Sequence, residues 1–298
     1  MASAPINHLE RLVELFPFKK WDWSSLSENP CITWSFIKNH PKLPWSWKGI
    51  SGNPNINWQI VSDLKDQNWS WKALSSNPGI TWQDIANHPN QPWDENCVSS
   101  NPSILWQDIV DNPNYKWNWD NLSSNPHLTW DDIKQHVGLS WNWVCLSANK
   151  NITWDIIQSN PNVPWDYCGV SRNPNITWEN IKSARDKNWQ PVSFFKHPNM
   201  TWDIIKDNNL LDYIFNDLIN ENPNITIDIV KANPKFLWDW YALSAHKNMT
   251  IDVIEANPGL SWKCVGISYN PNLTWQFVYD NQDKKWNWEA MSANTFGK

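Results

Sequence analysis

Ile32-Thr33-Trp34-Ser35-Phe36-Ile37 is one copy of a pattern in which an apolar residue, a hydroxyl or amide, an aromatic ring and further apolar residues follow in a set order. The order predicts a short helix. Thr33 stands where an N-cap side chain accepts from an orphan N–H of the first turn. Ile32 and Ile37 have the spacing of a hydrophobic staple. Acidic residues follow the cap in most copies, as in Asp84, Asp108, Asp132, Asp155 and Glu179, which suits the positive end of a helix dipole. A second half-pattern alternates with the first. In it Asp22, Ser46, Ser70, Asp94, Asn118, Asn142, Asp166 and Asp239 take the cap position, and Trp21 and Leu26 form the staple.

The pair of half-patterns recurs every 24 residues. Trp21, Trp45, Trp69, Trp93, Trp117, Trp141, Trp165 and Trp189 keep that spacing, Tyr213 continues it, and after one inserted residue Trp238, Trp262 and Trp286 resume it. A second column runs from Trp34 through Trp58 and Trp82 to Trp275, with Ile227 and Ile251 in two places. A third holds Trp23, Trp47, Trp71, Trp119, Trp143, Trp240 and Trp288. Every tryptophan of the 27 falls in one of the three columns.

Each half ends at a turn, often before proline: Asn29-Pro30, His40-Pro41, Asn53-Pro54, Asn77-Pro78 and His88-Pro89. The residue before proline is held out of helical geometry, so the helix stops there. The pattern predicts helices of about six residues, two per repeat, with asparagines turning the chain through their own side-chain hydrogen bonds. Helices this short are marginal in isolation and gain stability by stacking on their neighbours. The expected fold is therefore all-α: an α-solenoid of about 11–12 repeats of 24 residues, preceded by a capping helix in residues 1–20 and occupying residues 21–298 as a single array. A β-solenoid or propeller fits less well, because cap and staple signals recur and period-2 alternation does not.

A column of small residues, Ser25, Gly49, Ala73, Cys97, Cys145, Gly169, Ser193, Ala242, Gly266 and Ala290, implies close helix approach and reads Cys97 and Cys145 as buried small hydrophobes rather than nucleophiles. At the 8–10 Å spacing of packed helices, the array would run for about 100 Å or curl until its ends approach. Leu9, Leu12, Val13, Leu15 and Phe16 form the apolar face of a helix starting near Asn7, expected to cover the first repeat's open end. The last repeat, ending near Met291-Ser292-Ala293-Asn294, is expected to be poorly capped. Residues 183–222 depart from the pattern, which reads as a bend or decay in the array.

Composition narrows the possible partners. The chain of 298 residues carries a formal net charge of −6, and no Lys/Arg cluster of the kind that meets phosphates stands out, so nucleic acid is disfavoured. Five cysteines without CxxC or Cys/His spacing predict neither a disulfide framework nor a zinc site. Glu10, Arg11 and Glu14 interrupt the N-terminal apolar stretch, so no secretory leader is expected. No apolar run approaches the roughly 20 residues that cross a bilayer. The N-x-T strings at Asn151, Asn175, Asn199, Asn224, Asn248 and Asn272 then read as turn asparagines followed by cap threonines rather than glycan sites.

Asn-Pro-Asn-Ile-Thr-Trp at 173–178, with Pro-Trp-Asp-Tyr at 164–167, resembles tryptophan-rich repeat proteins of giant DNA viruses of amoebae and algae. The resemblance spans about residues 21–294. It implies a virus factory in the host cytoplasm, or the virion, as the location, and it supplies no catalytic residues.

No P-loop, GxGxxG, GxSxG or HExxH string occurs, so the sequence points away from catalysis and implies no cofactor and no metal. His40 and His88 precede proline, and His197 and His246 fall where Asn29 falls, so these read as asparagine substitutes in turns. The Trp21 and Trp34 columns read as core. The third column accepts Glu95, Pro191 and Cys264, which implies partial exposure. Its rings Trp23, Trp47, Trp71, Trp119, Trp143 and Tyr167 are the candidate partner-binding ladder, since exposed indoles anchor protein partners. The expected function is a protein–protein interaction scaffold. A self-assembling structural or virion protein, favoured by an open array end, and a carbohydrate-binding protein using the ladder are the alternatives.

Overall fold

A computed structural model describes residues 7–208, 210 and 216–297; Tyr213 and Phe215 lie outside the described residues. Among the described residues every regular element is a helix, 24 in all and four to eight residues long. They alternate between a first type, helix A (Trp23–Glu28 in the first repeat), and a second type, helix B (Trp34–Asn39). The fold is the expected helical repeat solenoid.

The caps explain where helices start. Thr33 Oγ1 accepts from Phe36 N–H (3.1 Å). In the Thr81 and Thr129 copies the N3 carboxylates of Asp84 and Asp132 accept in return from the threonine N–H and hydroxyl, completing a capping box. Asp22, Asp94 and Asp166 cap helix A in the same way. Most copies of helix B end on an asparagine or histidine that donates to the carbonyl four residues back, as Asn160 Nδ2 does to Ile156 O and His40 Nδ1 to Phe36 O, whereas others end on Leu64, Ala184 or Ala256. The histidines thus stand in for asparagine, as expected.

Two buried polar columns hold successive repeats together. Ser27 Oγ donates to Trp23 O and accepts from Ser46 N–H of the next repeat (2.9 Å). Asn53 Nδ2 reaches back to Ser27 O, Asn29 O and Ile32 O, each at 3.0 Å, while its Oδ1 accepts from Asn55 N–H. Asn101, Asn173 and Asn270 repeat this arrangement. His197 takes the asparagine position with Nε2 donating to Asn173 O and Nδ1 accepting from Asn199 N–H. The apolar core between these columns consists of Leu26, Ile32, Ile37 and their equivalents. Gly49 shows why its column is small: a Cβ there would lie 2.5 Å from Ser24 O and 2.7 Å from Ser27 Cβ.

The helices form two compact units, Met1–Ser70 with Ile225–Lys298, and Trp71–Asn224. The second unit is a run of consecutive repeats. In the first, the two ends of the chain meet. Helix A of the last repeat, Trp288–Ala293, stacks on Trp23–Glu28, and the N-terminal helix His8–Leu15 stacks on the last helix B, Trp275–Asp280. The bonds at this junction are those of any other repeat boundary. Asp22 N–H donates to Ser292 Oγ (3.0 Å), and Asn29 Nδ2 donates to Ser292 O and Asn294 O (2.9 Å each). Trp21 meets Trp288 edge to face at 5.0 Å, as Trp45 meets Trp23 at 5.3 Å.

The expected lid over an open end and the poorly capped C-terminal end are therefore corrected. His8–Leu15 is a helix B whose helix A is Trp288–Ala293, so the two chain ends compose one repeat. Phe16 has the backbone angles of His40, and its carbonyl accepts from Trp21 Nε1 as that of His40 accepts from Trp45. The physical reason is economical: each end buries an apolar face that would otherwise meet water, with Leu9, Leu12 and Val13 fully covered.

Candidate functional site

The three tryptophan columns have different environments. The Trp21 column, expected as core, is only partly so: Trp21, Trp69, Trp117, Trp141 and Trp286 are buried, whereas Trp45, Trp93, Trp165, Trp189, Trp238 and Trp262 are half-buried, and each indole N–H donates to the carbonyl five residues earlier. These bonds close each B-to-A turn. The Trp34 column, expected as core, is half-buried apart from Trp202. A tryptophan at the first helical position projects beside the turn of the following repeat rather than under the helix. In the second unit Trp82 lies against Trp117 (5.1 Å), Trp106 against Trp141 (5.9 Å) and Trp154 against Trp189 (5.9 Å).

The candidate ladder residues Trp23, Trp47, Trp71, Trp119, Trp143 and Tyr167 are all half-buried. Trp23 and Trp47 belong to the first unit, the other four to the second. Each ring meets a tryptophan of the next repeat edge to face, at 5.0–5.6 Å: Trp45, Trp69, Trp93, Trp141, Trp165 and Trp189 in turn. Such pairs contribute about 0.5–1.5 kcal/mol beyond the area they bury, so the ladder already carries a structural load. Burial pushes the Tyr167 phenol up.

Cys97 and Cys145 are half-buried, not buried as expected. Burial still pushes the Cys97 thiol up, away from thiolate chemistry. Among the described residues no three His, Cys, Asp or Glu side chains are grouped as a metal site would require. No described helix is long and apolar enough to cross a membrane. The sequon asparagines donate to the preceding repeat, as Asn151 Nδ2 does to Pro126 O and Leu128 O, and their threonines cap helices.

One surface feature went unread in the sequence. The turn between the N-terminal helix and Trp21 carries Phe18, which is 99% exposed, followed by the exposed Lys19 and Lys20. The preceding turn in the stack carries exposed Lys284 and Lys285, and the following one exposed Lys42. These three neighbouring turns thus carry five exposed lysines, the exposed Asp283 and one bare aromatic ring. Lys19 Nζ lies 5.5 Å from the Trp288 ring centre, which ties its turn to the repeat before it. The cluster is invisible in the sequence because the chain ends that form it lie some 260 residues apart. The unit that holds it has 14 Lys/Arg and 13 Asp/Glu, whereas Trp71–Asn224 has 10 and 17, so the acidic excess of the chain lies in that other unit.

No protein-family model matches the chain, and neither the curated proteins nor the solved structures include a match to it.

Proposed function

We propose that the chain is a non-enzymatic protein–protein interaction scaffold, made by a giant DNA virus and acting in the host cytoplasm or virus factory, or carried in the virion. The observation that carries this reading is Phe18. A fully exposed phenylalanine stands on a turn whose backbone is held by a proline and by the Trp21 indole bond, so its apolar surface is bare to solvent. Aromatic side chains of this kind are the usual energetic centre of a protein interface. The neighbouring lysines favour a partner that offers an apolar pocket rimmed by carboxylates, and complementary charge raises the rate of encounter. The repeats supply support: internal serine, asparagine and leucine positions recur, while turn positions such as Phe18, Lys42, Asp66, Asn90 and Gly138 differ from copy to copy.

The alternative of open-ended self-assembly loses its motivating feature, because the chain ends complete each other. The test is affinity capture from host cells with the wild-type chain and the triple variant Phe18→Ser, Lys19→Glu, Lys20→Glu, after nuclease treatment. The proposal expects a stoichiometric protein held by the wild type and at least tenfold depleted with the variant. Equal recovery with both proteins would sink the assignment of this surface.

A further inference from the structure

A cavity of about 490 Å³ lies in the first unit between the first two repeats, bounded by Trp34, Ile37, Pro44, Trp45, Leu64 and Gln67. Its origin can be read from the equivalent slots of other repeats. Forty-eight residues on, Trp82 replaces Trp34 and Tyr115 replaces Gln67. There the Tyr115 ring lies edge to face on Trp82, with centroids 5.1 Å apart. One repeat further, the Trp106 slot receives His136, also at 5.1 Å, from the position of Leu64. In the Trp154 slot these two positions are Ala184 and Lys187, neither aromatic, and a cavity of about 390 Å³ stands between the same pair of elements. In both cavities, then, neither of these two positions carries a ring.

We infer that the Trp34 slot is a binding site for the aromatic side chain, phenol or indole in kind, of a partner protein, seated edge to face on Trp34 as Tyr115 is seated on Trp82. The chain itself shows which occupant the slot accepts, since in the second unit that occupant is a tyrosine side chain presented by an extended turn, Pro113-Asn114-Tyr115-Lys116. Trp34 has no aromatic neighbour among the described ring pairs, so its face is available in a way that those of Trp82, Trp106 and Trp154 are not. Lys38 and Asp63 also line the cavity and offer a cation and a carboxylate to the backbone or flanking residues of an incoming segment. The occupant is expected to be neutral: at Trp82 burial, with smaller contributions from Glu95 and Asp94, pushes the Tyr115 phenol up to about 12. That a protein brings the ring rests on the scaffold reading; the seating of the ring itself does not.

The backbone of the turn provides a clean control. Gln67 N–H donates to Leu64 O (3.2 Å) and Trp69 N–H to Gln67 O (2.8 Å); the Tyr115 turn has the same pair, at 3.1 and 2.8 Å. A tyrosine at 67 is thus compatible with the turn as it stands. The substitution Gln67→Tyr should fill the slot from within, and its folding is checked by an unchanged or raised Tm.

The experiment follows the indole N–H signals of the full chain by two-dimensional NMR while titrating the blocked peptide acetyl-Pro-Asn-Tyr-Lys-amide, with the Tyr→Ala peptide and p-cresol as separate arms. The inference expects saturable shifts of the Trp34 and Trp45 signals with the tyrosine peptide, no shifts with the alanine peptide, and at least a tenfold weaker response in the Gln67→Tyr protein. Equal titration of the wild-type and Gln67→Tyr proteins would overturn the site. Binding of p-cresol alone, with the peptide excluded, would overturn a protein as the source of the ring. Either failure would leave the Phe18 surface, which is read by capture, untouched.

Discussion

Glu10 Oε1 accepts hydrogen bonds from both the N–H and the hydroxyl of Thr33, at 2.8 and 2.7 Å. Asp84 does the same for Thr81 within a single helix, at 2.9 and 2.7 Å. Helix Trp34–Asn39 has Phe36 at the position where that acid would stand, so its capping box is completed by a carboxylate from the N-terminal helix. One contact thereby caps a helix and anchors the chain's beginning to its first full repeat. On the other side of the same helix, Phe16 meets Trp288 at 5.2 Å and Arg11 lies over Trp275.

Glu10→Ala should therefore cost more than an ordinary surface change, about 1–2 kcal/mol for the lost cap. Amide hydrogen exchange should rise at Asp22 and Asn294 together, because the composite repeat loosens as a unit. Faster exchange around Thr33 alone, with Asn294 still protected, would show that the N-terminal helix does not bridge the two ends.

The cross-repeat asparagines should be sensitive to loss of the donor rather than of volume. Asn53→Asp keeps the size but sets a carboxylate among the carbonyls of Ser27, Asn29 and Ile32. Unsatisfied buried groups cost roughly 1–3 kcal/mol each, so a loss of about 2–4 kcal/mol in urea unfolding is expected. Asn55→Asp also loses donors, to Pro30 O and Ile32 O, but at an exposed position where water replaces them, so it should cost clearly less, about 1 kcal/mol. Equal effects at the two positions would contradict the account.

The composite repeat should also weaken in mild acid. Burial holds the His8 imidazole below its ordinary value, because the charged form is less well solvated beside Phe296. Its neutral form is favoured in the folded chain. The stability it contributes is fully present above about pH 6.5 and is lost as the pH falls from there towards the lowered folded value. His8→Gln should flatten that part of the stability profile. A wild-type profile level between pH 7 and pH 5, or one unaltered by the substitution, would contradict this.

Much of the fold was legible because self-similarity at 24 residues exposes every rule at once. Thr33, Asp22 and their copies marked helix starts, His40-Pro41 and Asn53-Pro54 marked stops, and each did what its side chain predicts. The cross-repeat bonds were not legible: nothing in Asn53 as a turn residue says that its amide nitrogen reaches the carbonyls of the previous repeat. The junction of the ends left a trace that went unread, since Phe16-Pro17 stands 24 residues before His40-Pro41 and marks the N-terminal helix as a helix B. The Trp34 slot depends on comparing Gln67 with Tyr115, which becomes meaningful once both are known to face a tryptophan of the preceding repeat. The ladder was legible as half-buried, but not the edge-to-face partner that each of its rings has.

The account rests on the two chain ends forming one repeat, and a covalent link tests that most directly. Cys31 Sγ lies 3.0 Å from Thr295 O. Thr295→Cys, with Cys97, Cys145, Cys168 and Cys264 replaced by serine, should form a disulfide to Cys31 under mild oxidation, or accept a short bismaleimide bridge. The account predicts that the linked product is monomeric by mass spectrometry and more resistant to urea than its reduced form. Links found between chains alone, or no link between folded termini, would contradict it.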